Sequence, residues 1–349
     1  MTDFEVISRS LAAVGAAGRE VFLVKKGGRV LLALPGEKEA ALIALRLYQP
    51  QRTVAKVFVR AISFAVHLGL HKSFLKRMWV GEETSGEGEG MPAVVAETAG
   101  VLIGNPDHLV RRAIVSFRTG NGFEVAKVAF GEKGVNLIER EATTIKSLPE
   151  NVRGIPRLLG THHTGEIGVM RMPYLKGRFL SADDAESYVT LLTDWLRDEP
   201  SCLLEDFPEW EGIERTLSGR SDGGEILECL KGLKLTPGIR HGDFAPWNLI
   251  RDENDEILAL DWEWGVPRGV PGFDLIHYLT QELRLVQRLT PSAIVEAVEF
   301  TLSKEPFSTY LRRAGWGDSH RELFIAALAF SLGSNLKGSE AILEDLLSQ

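Results

Sequence analysis

Two short runs near the start of the chain, 20–25 and 29–34, are rich in β-forming residues and flank Gly27-Gly28, which predicts a hairpin closed by a tight turn. Segments 37–47 and 53–78 instead place apolar residues at three- and four-residue steps and predict helices, with Pro50 opposing continuation between them. In the second, Lys56, Arg60, Ser63, His67 and His71 form a basic polar stripe opposite Val54, Val57, Phe58, Ala61, Ala65 and Leu68. Such an apolar face either packs on the hairpin or the following lobe, or meets an anionic membrane or a partner, and Lys72, Lys76 and Arg77 would add to that attraction. Run 82–90, EETSGEGEG, has no core-forming side chains and reads as an acidic, flexible linker. Beyond it the rhythm turns β-rich at 101–104, 113–118 and 123–130, the last two joined by the turn Thr119-Gly120-Asn121-Gly122. A helix is predicted over 135–148 from Leu137, Ile138, Ala142, Ile145 and Leu148, stopped by Pro149. A strand at 167–172 then runs into Pro173-Tyr174-Leu175-Lys176-Gly177, and from Ala182 onward the periodicity is mostly helical. Sheet first and helices later point to an α+β arrangement of two lobes with a crevice between them.

Composition narrows the function more than the fold. The 349 residues allow two or three domains, and 44% apolar with 25% charged residues is the texture of a folded globular chain. A net charge of −8 disfavours a nucleic-acid binder whose affinity rests on neutralising phosphates. Two cysteines, Cys202 and Cys229, are too few for a disulfide framework and read as free thiols of a reducing compartment. Asp3, Glu5 and Arg9 interrupt any secretory-type apolar run at the start, and Arg60 and His67 break the apolar stretch 57–70. The expectation is a cytoplasmic protein with no transmembrane segment. His162-His163 lack convincingly spaced cysteine or acidic co-ligands, and the neighbouring Gly160 and Gly165 suggest a turn between strands, so zinc is set aside.

The chemistry concentrates between 240 and 275: RHGDFAPWNLI, a polar turn, then ILALDWEWGVPRGVPGFDL. Asp243 and Asn248 lie five residues apart across a loop containing Pro246, and a strand over 257–260 delivers Asp261. Two carboxylates and an amide can converge there. Phosphoryl transfer asks for little more than an oriented hydroxyl and magnesium held by hard oxygen ligands against the phosphates.

At these residues the chain resembles the aminoglycoside phosphotransferase and choline kinase superfamily, small-molecule relatives of the protein kinases. His241, Gly242, Asp243 and Asn248 match its His-Gly-Asp loop with an Asn five residues after the Asp, Asp261 matches its metal-binding Asp, and Phe273-Asp274-Leu275 matches a later motif that steadies the C-terminal lobe. The resemblance covers about 101–332. It implies a two-lobed protein-kinase-like fold, with a β-rich N-lobe over 91–175, a helical C-lobe over 176–349 and an accessory α/β region with its linker over 1–90. It implies ATP or GTP with Mg2+ as cofactors and a small-molecule hydroxyl as acceptor, an aminoglycoside, sugar, choline-like alcohol or other metabolite. Asp243 would orient that hydroxyl and accept its proton, Asn248 and Asp261 would hold magnesium, and His241 would brace the loop.

Glu263 adds the Asp-x-Glu spacing of choline kinase-like members and reads as a further metal or substrate carboxylate, facing the same side as Asp261 if both lie on a strand. Trp247, Trp262 and Trp264 read either as core or as cation-attracting faces. Lys127, in an alternating strand, occupies the place of the phosphate-gripping lysine, with Glu141 as its partner and Glu139 as the fallback. Backbone groups near Met172 would meet the adenine. The loop Gly104-Asn105-Pro106-Asp107-His108 departs from the glycine-rich phosphate cover and motivates an alternative: a nucleotide-binding pseudokinase, or a partner- or membrane-docking protein through 53–78, without transfer activity.

Overall fold

The computed structural model describes residues 1–50, 53–81, 94–104, 110–333 and 338–348; the expected linker at 82–90 and residues 105–108 after Gly104 lie outside them. The chain divides into two compact units, one of Met1–Lys146 and Pro156–Leu175, the other of Ser147–Ile155 and Lys176–Gln349.

The first unit comprises α1 (Asp3–Ala13), β1 (Arg19–Lys26), β2 (Arg29–Pro35), α2 (Lys38–Arg46), α3 (Thr53–His67), the single turn α4 (His71–Phe74), β3 (Lys76–Val80), β4 (Thr98–Ile103), β5 (Arg112–Thr119), β6 (Gly122–Phe130), α5 (Glu132–Ser147), β7 (Gly160–Thr164) and β8 (Ile167–Pro173). Its strands form one antiparallel sheet in the order β3-β1-β2-β4-β5-β6-β8-β7. The β1–β2 hairpin closes through Gly27 and Gly28, with φ of 58° and 82°, the left-handed geometry that glycine adopts without a Cβ clash. Alternation along β1 then sends Val21 and Leu23 to one face and Phe22 and Val24 to the other. Val6, Ile7 and Leu11 of α1 pack with the first set, while Ala41, Ala44 and Leu45 of α2 and Ile62 and Val66 of α3 pack with the second. Each fully buried aliphatic side chain contributes roughly 1.5–3 kcal/mol, so both faces hold the sheet.

Two sequence readings change here. The segment expected to be an accessory region over 1–90 shares its sheet with the rest of the unit, because β2 pairs β4 through Leu32↔Leu102 and Ala33↔Val101. The helix predicted over 53–78 stops at His67, where Gly69 turns left-handed at φ 73°, and Lys76–Val80 becomes an edge strand paired with β1. A short apolar run suits either period, and docking on an open strand edge decides for the strand.

In the second unit β9 (Gly177–Phe179) is followed by α6 (Ala185–Asp194), β10 (Cys202–Leu203), α7 (Trp210–Ser218), α8 (Gly223–Leu230), β11 (Lys234–Leu235), β12 (Gly238–Arg240), β13 (Leu249–Asp252), β14 (Ile257–Ala259), β15 (Val266–Gly269), α9 (Phe273–Gln281), α10 (Pro291–Leu302), α11 (Phe307–Ala314), α12 (His320–Gly333) and α13 (Glu340–Ser348). Small antiparallel pairings, β12 with β15 and β14-β13-β9, carry the loops, and the helices supply most of the core. The β-rich and the helical unit together give the expected α+β class. A buried carboxylate ties the parts: Asp184 accepts from both nitrogens of Arg178, at 2.6 and 2.8 Å, from Arg251 at 2.8 Å and from the Ser181 amide at 2.8 Å. The Arg178 bond, first among these, holds its carboxyl well below the usual carboxylate range.

Candidate active site

In the first unit, β6 pairs β5 through Ile114↔Lys127 and β8 through Lys127↔Met170, a central position with neighbours on both sides. Ala126 and Val128 enter the core on one face, so alternation sends Lys127 to the other. There its Nζ donates to both oxygens of Glu141 on α5, at 2.5 and 2.7 Å. The Glu141 side chain is only 3% exposed and that of Lys127 16%, so neither charge retains full hydration and each offsets the desolvation of the other. The fallback partner, Glu139, instead faces His163 Nδ1 at 3.6 Å on the surface. His162 and His163 lie within β7, and the turn from β7 to β8 comes at Gly165, with φ 53°. Met172, near the end of β8, pairs with Val125, whereas on the other side the β7 ladder ends at Gly160↔Arg171. Gly104 donates its amide to the Arg112 carbonyl at 2.9 Å, and a Cβ there would lie 2.8 Å from that oxygen.

In the second unit the loop leaving β12 is held by α9. Asp274, in the first turn of that helix, accepts from the amides of His241 at 2.6 Å and Gly242 at 2.9 Å. Gly242 has φ 85°, and a Cβ would meet the Trp264 carbonyl oxygen at 2.5 Å, so both conformation and space require glycine. The Asp243 amide donates to His241 Nδ1 at 3.2 Å, which leaves Nε2 as the protonated nitrogen donating to the Leu260 carbonyl at 2.8 Å. Burial lowers the basicity of this imidazole against the pull of nearby carboxylates, so His241 is a neutral brace. Leu260 in turn donates its amide to the Asn248 carbonyl at 2.7 Å. Both polar groups of the residue preceding Asp261 are therefore tied to the Asp243 loop.

The Asp243 carboxylate is bonded at each oxygen. Asn248 Nδ2 donates to Oδ2 at 2.9 Å, as well as to the Asp243 carbonyl at 2.9 Å, and His277 Nε2 lies 3.0 Å from Oδ1. A carboxylate has about four lone-pair sites, and the side chain is 34% exposed, so acceptor capacity remains for an incoming hydroxyl. With its nitrogen turned to Asp243, Asn248 directs its amide oxygen away as a hard donor. Asp261 sits at φ 72°, a left-handed position that Asp tolerates better than most residues, immediately after β14.

The strand argument for Glu263 does not hold, because β14 ends at Ala259 and Trp262–Trp264 form a 3-10 turn, so two-residue alternation no longer applies. Trp262 is fully buried, donating from Nε1 to the Ala259 carbonyl at 2.8 Å and lying 4.6 Å from the His241 ring, and so belongs to the core; Trp264 is exposed and Trp247 half-buried. Among the described residues no group of three or more His, Cys, Asp or Glu side chains is arranged as a metal cage. His277 escaped the sequence reading. Its signal was available in Phe273-Asp274-Leu275-Ile276-His277, where a three-residue helical step sets it on the side of Asp274.

No family model matches the chain, and no curated protein matches it. Solved small-molecule kinases do. The aminoglycoside phosphotransferase APH(4)-Ia aligns with 71% of this chain and 89% of its own at 10% identity and TM-score 0.45. A putative fructosamine-3-kinase from Haemophilus somnus aligns with 71% and 90% at 10% identity and TM-score 0.43. Plasmodium vivax ethanolamine kinase aligns with 71% and 80% at 12% identity and TM-score 0.43. At identities and scores of this size, the chemistry of the site is read from the chain's own residues.

Proposed function

We propose that the protein is a phosphotransferase that moves the γ-phosphoryl group of ATP or GTP to a hydroxyl of a small molecule. The observation that carries this reading is the Asp243 carboxylate, fixed at one oxygen by Asn248 and at the other by His277 on a braced loop, with acceptor capacity to spare. Asp243 takes the proton of the acceptor hydroxyl as that oxygen bonds to the γ-phosphorus. The bond from phosphorus to the β-γ bridging oxygen breaks, and a nucleoside diphosphate leaves.

The oxygens of Asn248 and Asp261 fit magnesium, which takes hard oxygen ligands and commonly binds through one or two protein groups plus substrate phosphates. A cage of three acidic or histidine ligands is not required. When bound, the ion neutralises phosphate charge. Glu263 is a further carboxylate for that ion or for a cationic acceptor. Lys127, held by Glu141, binds the α- and β-phosphates, and the backbone near Met172 meets the purine. The acceptor classes are aminoglycosides, sugars and choline-like alcohols.

Incubating the full-length protein with nucleotide, magnesium and a panel of such alcohols tests the reading. Acceptor-dependent nucleoside diphosphate release is expected from the native protein and not from Asp243→Ala. Equal release by both overturns the role of Asp243, and magnesium-dependent nucleotide binding without transfer to any acceptor supports the pseudokinase alternative.

A further inference from the structure

Among the described residues fifteen large apolar side chains are exposed, and eight of them fall between Val54 and Trp79. That clustering marks a surface rather than the scatter ordinary for a soluble protein. On α3, at about 100° per residue, three sectors are distinct. Ala55, Ile62 and Val66 lie within roughly 20° of one direction and are the buried side. Lys56, His67 and Arg60 follow at about 100° to 140° from it. Phe64, Val57, Leu68 and Val54 occupy about 180° to 260°, and all four are exposed, Val54 at 82% and Phe64 at 66%. The apolar stripe visible in the sequence is thus not the side on which the helix packs.

The edge strand β3 adds an exposed aromatic on the sheet face that α3 covers. Trp79 pairs opposite Glu20 and Arg77 opposite Phe22, which places both on the sheet face that α2 and α3 cover, and Trp79 is 66% exposed. From 53 to 80 the chain has five Lys and Arg and no Asp or Glu, so the net charge of −8 is made up entirely elsewhere. Arg77 pairs with Glu20 at 3.1 Å and Lys76, opposite Leu23, lies on the other sheet face, while Lys56 and Arg60 stand on α3 beside the apolar stripe and Lys72 follows on α4.

We propose that this face docks on an anionic lipid membrane as a peripheral contact, with the Val54-to-Leu68 stripe and Trp79 entering the headgroup boundary. Apolar side chains at helical spacing beside a one-sign basic sector are what such a surface binds. A second copy of this chain fits poorly, because a two-fold contact would set two basic segments against each other. The inference rests on the first unit alone and stands or falls independently of phosphoryl transfer.

Co-sedimentation of the full-length protein with vesicles decides it. Phosphatidylcholine vesicles containing phosphatidylserine should carry the protein down at low salt, and pure phosphatidylcholine vesicles should not. Val57→Ser with Phe64→Ser should weaken binding about tenfold, and Lys56→Glu or Arg60→Glu at least about fivefold each. These exposed positions should keep the native thermal midpoint. Absence of sedimentation, equal binding to both vesicle types, or indifference to every variant overturns the proposal. So does a concentration-dependent dimer in analytical ultracentrifugation that Phe64→Ser disperses.

Discussion

The two polar constellations are built by opposite means. Lys127 and Glu141 stand on a central strand and a long helix, and ordinary periodicity brings one cation to one carboxylate. Around Asp243 the backbone is irregular: Gly242, Asp261 and Gly272 all have positive φ, and a network through His241, Leu260, Asn248 and Asp274 satisfies the amides and carbonyls that regular structure would have paired. Regular elements suffice to oppose two charges. Converging an amide, two carboxylates and a histidine on a short stretch of chain needs backbone bent out of its repeating wells and then locked by side-chain hydrogen bonds.

That contrast sets the order of expected effects. Asp243→Ala should lower acceptor-dependent turnover about a thousandfold while the protein stays folded, at a cost of about 1–3 kcal/mol because the buried Asn248 and His277 lose its carboxylate. Loss of the urea transition together with activity would make Asp243 structural instead. Glu141→Ala should cost roughly 3 kcal/mol in urea titration, since it breaks an ion pair whose carboxylate is almost fully buried, whereas an exposed pair costs roughly 1 kcal/mol or less. Gly242→Ala should cost roughly 2 kcal/mol through positive φ and the clash with the Trp264 carbonyl. A neutral result there would mean that the loop is not locked. His277→Asn should lower turnover about tenfold with little change in nucleotide affinity, as one oxygen of Asp243 loses its fixed direction; an unchanged rate would remove its positioning role.

The smallest effect is on acid stability. His241 is less basic folded than its ordinary value of 6.5, so the unfolded chain binds the extra proton first as pH falls. Its contribution is present above about pH 6.5 and is lost below it, and His241→Gln should flatten that part of the stability profile. An identical profile in the variant would mean that His241 does not titrate on unfolding.

What was legible follows the same contrast. The hairpins, α5 and the Lys127–Glu141 pairing could be read because period two and period 3.6 say which residues share a face. Asp243, Asn248 and Asp261 were found as a spaced motif, but the spacing says nothing of the locking bonds. His277 was missed because its partner lies 34 residues away, on another element. The false extension of α3 through 78, into the start of β3, has the same origin: which edge a short apolar run joins is decided by tertiary pairing. The helix α1 passed unread although Thr2 and Glu5 form its capping box. The packing side of α3 was hidden too, since the helix is apolar on two sides and the sequence does not rank them.

Isothermal titration of the full-length protein with ATP or GTP, with and without magnesium, bears most directly on the proposed chemistry. A single saturable, magnesium-dependent heat is expected, weakened at least about tenfold by Lys127→Ala and again by Asp261→Ala. No heat with either nucleotide, or heat indifferent to both substitutions, would contradict it.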